Sequence, residues 1–238
     1  MHDQRASWVL FLLPLGLLVA MVLLKLEAPL HYKSLVREDG LVENLQFLLF
    51  FGAGIVAILA GRRLVATGLK LHCGLYWLLG IGLLVVAMDE ISWGQRLFGI
   101  ATPERVAAVN LQNELTVHNL EPLMIYLHVA YLCVGAYGSF AWLLNAIWPP
   151  AEQSLRRFVI ADWYLASYFA VLLLVYGLIE LAQWVQPSLL GQRLVIGEFI
   201  VFRDQEPAEL MLALAMAIFV LINYYRANAL ARQGATAA

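Results

Sequence analysis

The chain has 238 residues, 62% of them hydrophobic and only 13% charged, with mean hydropathy +0.77 and a formal net charge of −2 at pH 7. Soluble domains carry roughly 25% charged residues, so the composition excludes an ordinary soluble domain and predicts an all-α polytopic membrane bundle. The charge balance leaves no basic footprint for nucleic acid. The two cysteines, Cys73 and Cys133, sit singly in apolar runs and form neither a metal knuckle nor a disulfide framework.

Six uncharged stretches follow one another: 6–24, 44–61, 71–88, 122–151, 163–179 and 210–225. A spanning helix needs about 20 residues, and with their polar ends these stretches predict helices near 7–26, 42–61, 71–90, 122–148, 163–185 and 207–226. Together they make one integral membrane domain over 1–238. The first stretch is followed by Lys25-Leu26-Glu27-Ala28-Pro29, with no small-x-small cleavage pattern, and reads as a helix rather than a signal peptide.

The connections GRRLVATGLK (61–70) and SLRRF (154–158), with the tail YRANALARQ (225–233), are basic and nearly free of acids. By the positive-inside rule they face the cytoplasm, which puts both termini there. Trp148, Trp163, Tyr164, Tyr224 and Tyr225 mark that interface; Trp93 and Trp184 mark the other.

The acids collect on the outer side. Of the 17, only Asp3, Glu152 and Asp162 fall on the cytoplasmic side; the rest lie in or beside 27–43, 89–121 and 180–209. REDGLVENL (37–45) and RDQEPAELM (203–211) form a weak repeat, with Glu43 and Glu209 each six residues after an Arg and in the first turn of an apolar helix. An acid there complements the helix macrodipole, which is reading enough for Glu38, Asp39, Asp204 and Glu206.

Four constellations can carry chemistry. In MDEISWGQRLFG (88–99), continuation of the third helix puts Asp89, Trp93 and Arg96 on one face with Glu90 and Gln95 beside them, as the rim of a polar pocket. In NLQNELTVHNLEP (110–122), a helical wheel gathers Asn110, Glu114, His118 and Glu121 within roughly 80°, and His128 rejoins them past Pro122. This segment, 91–121, is expected to be re-entrant or amphipathic. In the fifth helix, Tyr176, Glu180 and Gln183 share a face, with Arg203 as a partner for Glu180. Finally, Glu43, Glu90, Glu180 and Glu209 come from four helices at one depth, with His118 or His128 alongside, and can surround a single pocket.

The Glu-x-x-x-His spacing differs from the Glu-x-x-His of di-iron bundles, and His-Glu-x-x-His is absent. A divalent metal is therefore a cofactor the residues allow but the spacing does not favour. No Gly-x-Ser-x-Gly elbow, P-loop or dinucleotide fingerprint occurs.

The strings EDGLVENLQFLLF, DEISWGQRLFG and NLQNELTVHNL resemble an uncharacterised family of multi-pass bacterial membrane proteins, over roughly 37–120. That likeness implies a membrane fold and no particular activity. VENL and MDEIS are also faintly similar to acid-bearing segments of alkaline ceramidases, which are zinc-using membrane hydrolases. Those enzymes carry His-x-x-x-His in their last helix, where this chain reads EPAEL, with Glu206 and Glu209.

The expected function is a membrane-embedded hydrolase or transferase acting on a lipid or lipid-linked substrate at an outer-facing pocket. Glu90, His118, Glu114 and Glu180 are its candidate catalytic residues. Arg96, Arg203, Trp93, Gln95, Asp89, Glu43 and Glu209 are candidates for substrate binding, with an Arg on an anionic headgroup. The alternative is a complex subunit, paired with other membrane proteins, or a carrier of protons or cations.

Overall fold

A computed structural model describes residues 4–37, 39–110, 113–189 and 205–236, without the side chains of Arg96, 182–189 and 234–236. Arg203, Glu38 and Asp204 lie outside the described residues.

The order along the chain is α1 (Gln4–Glu27), α2 (Pro29–Val36), α3 (Leu41–Val65), α4 (Lys70–Glu90), the short α5 (Gln95–Phe98) and α6 (Glu104–Ala107), α7 (Met124–Phe140), α8 (Trp142–Ile147), α9 (Leu155–Val159), α10 (Ala166–Leu189) and α11 (Glu206–Thr236). The molecule is all-α, and six helical segments are long and apolar enough to cross a membrane.

Two helix pairs make the close contacts. Apolar side chains have no reason to leave lipid for one another, so membrane helices associate where small residues let backbones approach. Gly54 on α3 faces Gly80 on α4: a Cβ on Gly80 would stand 2.9 Å from the Gly54 carbonyl oxygen and 2.7 Å from Ile58 Cγ1. On the second pair, α7 and α10, a Cβ on Gly135 would lie 3.0 Å from the Leu173 backbone. The α3 residues Ala53, Ala57 and Ala60 and the α11 residues Ala208, Ala213 and Ala215 are all buried, where α3 lies against α11. By contrast α1 buries only Ser7 and Pro14 and packs one partly covered face, Leu10, Leu17, Met21 and Leu24 among it, against the core.

One end of the bundle is closed by ion pairs. Asp162 Oδ2 receives Arg226 Nη2 at 2.6 Å and the Tyr164 hydroxyl at 2.9 Å, while Arg157 Nη1 reaches Oδ1 at 3.5 Å. Arg226 Nη1 also donates to the Arg157 carbonyl and to Asn223 Oδ1, both at 3.0 Å. Trp8 stacks edge-on against Trp163 at this end, so the start of α1 and the later part of α11 lie together. Nothing in the sequence pattern marked Asp162, Asn223 and Arg226 as partners, because they meet only through folding. The opposite end holds the acids.

Candidate functional site

The third span stops at Glu90 and does not run on through MDEISWGQRLFG, so no single helix carries Asp89, Trp93 and Arg96 on one face. Ser92, Trp93 and Gly94 follow one another in the left-handed region, with φ of 49°, 55° and 75°. That conformation costs L-residues roughly 1–2 kcal/mol each, and side chains hold it. Ser92 Oγ donates to Glu114 Oε2 at 2.5 Å and Trp93 Nε1 donates to Asp89 Oδ1 at 3.1 Å.

The helical stripe expected over 110–122 is also overturned. Apart from residues 111 and 112, which are not described, the segment is irregular and is closed by an antiparallel bridge between Asn110 and Leu120. Local side-chain bonds compete with a helix here. Asn110 Nδ2 donates to the Thr116 carbonyl at 2.9 Å, and Asn110 Oδ1 accepts the Glu114 amide at 3.1 Å. Members of the expected stripe therefore separate: Glu114 goes to Ser92, His118 to Asp89, and His128, which was to rejoin them, to Glu180.

Asp89 is the staple of this loop. It accepts the amides of Val117 (2.8 Å) and His118 (3.1 Å), the Trp93 indole and His118 Nδ1 (2.7 Å), so both its oxygens serve the fold rather than a substrate. Gln95 acts likewise. Its Oε1 accepts the Leu115 amide at 2.7 Å, and its Nε2 donates to Thr102 Oγ1, which donates on to the Asn113 carbonyl. Glu114 is buried beneath Ser92.

His118 has both ring nitrogens engaged: in the neutral ring Nδ1–H donates to Asp89, and Nε2 accepts from Asn119 Nδ2 at 3.1 Å. Protonation adds an N–H at Nε2, which Asn119 receives by turning its amide oxygen to the ring. Burial works against the charge, but the Asp89 hydrogen bond and the charges of Glu209, Asp89 and Glu206 outweigh it, and the pKa stands above the ordinary histidine value. A raised folded pKa contributes stability that is complete below the unfolded value of about 6.5 and lost as pH rises through the folded one. The Tm difference between the native protein and His118→Gln should therefore shrink as pH is raised through that window. A difference that grows with pH would mean that His118 is held neutral.

Glu90 stands in the field of the outer acids: the carboxylates of Glu209, Glu206, Glu43 and Asp89 all act on it electrostatically. The Tyr131 ring on α7 packs on Tyr176 with centroids 4.5 Å apart. The Tyr176 hydroxyl on α10 donates to Glu209, and His128 pairs with Glu180 one helix turn further along, its ring edge-on to Tyr176 at 5.2 Å. Glu180 is thus held by His128; Arg203, the other partner considered for it, lies outside the described residues. Of the expected ensemble, Glu43 and Glu209 act on Glu90 electrostatically, and Glu180 is paired with His128.

The members differ in what holds them. Glu43, Glu206 and Glu209 occupy first turns, where the macrodipole favours an acid. Glu43 also accepts the Asp39 amide, and Glu206 accepts Gln46 Nε2 at 3.3 Å. Glu90 stands at the C-terminal end of α4, where the macrodipole repels it, is only partly covered, and has no hydrogen bond or ion pair among the described residues. It alone of the cluster gains nothing structural from its charge. Tyr131 and Gln46, absent from the expected site, join it because a tyrosine and a glutamine inside apolar helices carry no mark in a single sequence.

Among the described residues, no group of three His, Cys, Asp or Glu side chains is gathered to hold a metal. No protein-family model, curated protein or solved structure matches the chain.

Proposed function

We propose that the chain is a membrane-embedded enzyme, a hydrolase or transferase, that acts on a lipid or lipid-linked substrate reaching the acidic end of the bundle. Glu90 takes and returns the proton. The observation that carries this reading is the isolation of Glu90: a carboxylate in the field of four others, at the unfavourable end of a helix, with no hydrogen bond or ion pair among the described residues. Such a group is costly to keep, and costly placements of this kind mark functional sites. Trp93 and His118 are tied to Asp89, the residue before Glu90, which sets this loop beside the site.

The basic connections and the shared end of Trp8 and Arg226 support an orientation with both termini in the cytoplasm of a bacterial inner membrane, so that the substrate comes from the outer leaflet. The closed Asp162–Arg226 network at the other end favours one-sided access over a carrier with a path through the bundle.

The test compares lipid extracts from cells producing the native chain or Glu90→Gln at matched levels. The native chain should deplete one lipid class and accumulate its product, and Glu90→Gln should lower that turnover by about 10²–10⁴-fold, the usual contribution of a positioned acid or base, with Tm little changed. Identical lipid profiles, with a partner protein lost on Glu90→Gln, would favour the complex-subunit reading instead.

A further inference from the structure

The connection after α4 has its polarity reversed. Its inward side is polar: Ser92, Gln95, Asn110, Glu114 and Thr116 are all buried and are hydrogen-bonded within the connection itself. Its outward side is apolar. Leu97 and Phe98 on α5 are 78% and 76% exposed, and Trp93 and Ile100, which flank α5, are exposed as well. A segment standing in water buries its large apolar side chains and shows its polar ones, and an exposed apolar patch marks a surface with a partner.

The depth of this patch follows from what ties it to the bundle. The α4 span ends at Glu90, and the left-handed run over 92–94 turns the chain aside at once. Trp93 Nε1 donates to Asp89 Oδ1 at 3.1 Å, and Val117 and His118 donate their amides to the same carboxylate, so both arms of the connection lie beside the last turn of α4. Leu97 and Phe98 follow Trp93 by four and five residues, most of them helical, and a helix rises only about 1.5 Å per residue. They stand close to the depth of that last turn, at the boundary of hydrocarbon and headgroups. Val85 and Val86, one turn before Asp89 on its face of α4, are exposed too. The apolar surface that α4 shows to lipid thus runs up to the Trp93 indole and on to α5.

Irregular backbone is tolerated at such a depth where its polar groups are satisfied internally. The Ile100 amide donates to the Gln95 carbonyl at 2.9 Å, the Glu121 amide to the Val109 carbonyl at 3.0 Å, and Thr102 Oγ1 to the Asn113 carbonyl. We infer that the connection is seated in the membrane: Trp93, Leu97, Phe98 and Ile100 insert among the acyl chains of the leaflet at the acidic end, and lipid is the partner of this surface. The exposed charges Glu104 and Arg105, which open α6, belong with the headgroups. The inference holds whatever Glu90 does and does not rest on the enzyme reading.

The test is paired footprinting of the native chain in phosphatidylethanolamine–phosphatidylglycerol liposomes. A lipid-dissolved diazirine marks side chains that touch acyl chains, and hydroxyl radicals mark those in water. Trypsin cuts after Arg96 and Arg105 and releases Leu97–Arg105, on which mass spectrometry assigns either mark. Carbene labelling of Leu97, Phe98 and Ile100 at the level of Val85 and Val86, with little oxidation, is the expected result. Oxidation without carbene labelling would place α5 in water and overturn the inference. Protection from both reagents would also overturn it, and would mean that another protein segment or a second copy covers the patch. The double variant Leu97→Gln, Phe98→Gln changes exposed positions only and leaves the buried polar side intact. Ile100 should then lose carbene label and gain oxidation; unchanged marks on Ile100 would mean that these side chains do not seat the loop.

Discussion

Asp89→Ala should release the loop over 101–119 from the end of α4 and cost about 2–4 kcal/mol. The carboxylate accepts from two backbone amides, an indole and an imidazole, and hydrogen bonds to a charged acceptor contribute roughly 1.5–3 kcal/mol each when intact. Two considerations lower the sum. The amides of Val117 and His118 lie in a partly exposed loop and can recover water, and the bonds share one acceptor, so their losses are not additive. The left-handed run at Ser92 and Trp93 loses its indole anchor in the same variant, and its strain then works against the native turn. Hydrogen exchange at Val117 and His118, together with Tm, checks this. Exchange as slow as in the native chain would show that the loop stands without its staple. Asp89 and Glu90 are neighbours with opposite expectations: the first substitution unsettles the fold, the second leaves the fold and removes the chemistry.

The other large effect is expected at Gly80. Any side chain there meets the Gly54 carbonyl oxygen at 2.9 Å, which is backbone and cannot swing away, as well as Ile58 Cγ1 at 2.7 Å. Gly80→Ala should cost about 1–3 kcal/mol through forced separation of α3 from α4, and Gly80→Val more. The pair has no hydrophobic drive to close again in lipid, so the separation is not recovered elsewhere. Gly82, two residues on in the same helix, has nothing within 4 Å of its would-be Cβ; Gly82→Ala should be neutral or slightly stabilising through the unfolded chain. The pair of variants separates packing from helix propensity, since propensity alone favours alanine at both positions. Unfolding titrations followed by helicity read the difference, and equal stability of Gly80→Ala and Gly82→Ala would mean that the α3–α4 contact does not depend on close backbones.

The six spans were legible because each is a long run without charge, and an uncharged run of that length has few other outcomes. The accumulation of acids at one end was legible for a related reason: hairpins of fixed length return helix ends to the same depth, and the 37–45 and 203–211 repeat marked two such ends. The connection over 89–121 was misjudged. A three-and-four spacing of polar residues suits a helix, yet Asn110 spends its side chain on Thr116 and Glu114, and Ser92 to Gly94 reverse the chain. Neither event has a periodic signature. The pairing of Glu180 with His128 was equally invisible, since it depends on α7 lying against α10 through Gly135 and Gly138.

The sequence by itself determined the class of molecule, the number of spans and the end where the acids accumulate, because composition and run length act through the solvent and need no partner. Only the tertiary structure decided which acid is left unpaired. Asp89, Glu114, Glu180 and Glu209 are each held by a donor from another element, and Glu90 is not. Whether a carboxylate is held depends on donors 22 to 52 residues away for Glu114, Asp89, Glu209 and Glu180, and those distances close only when the helices pack.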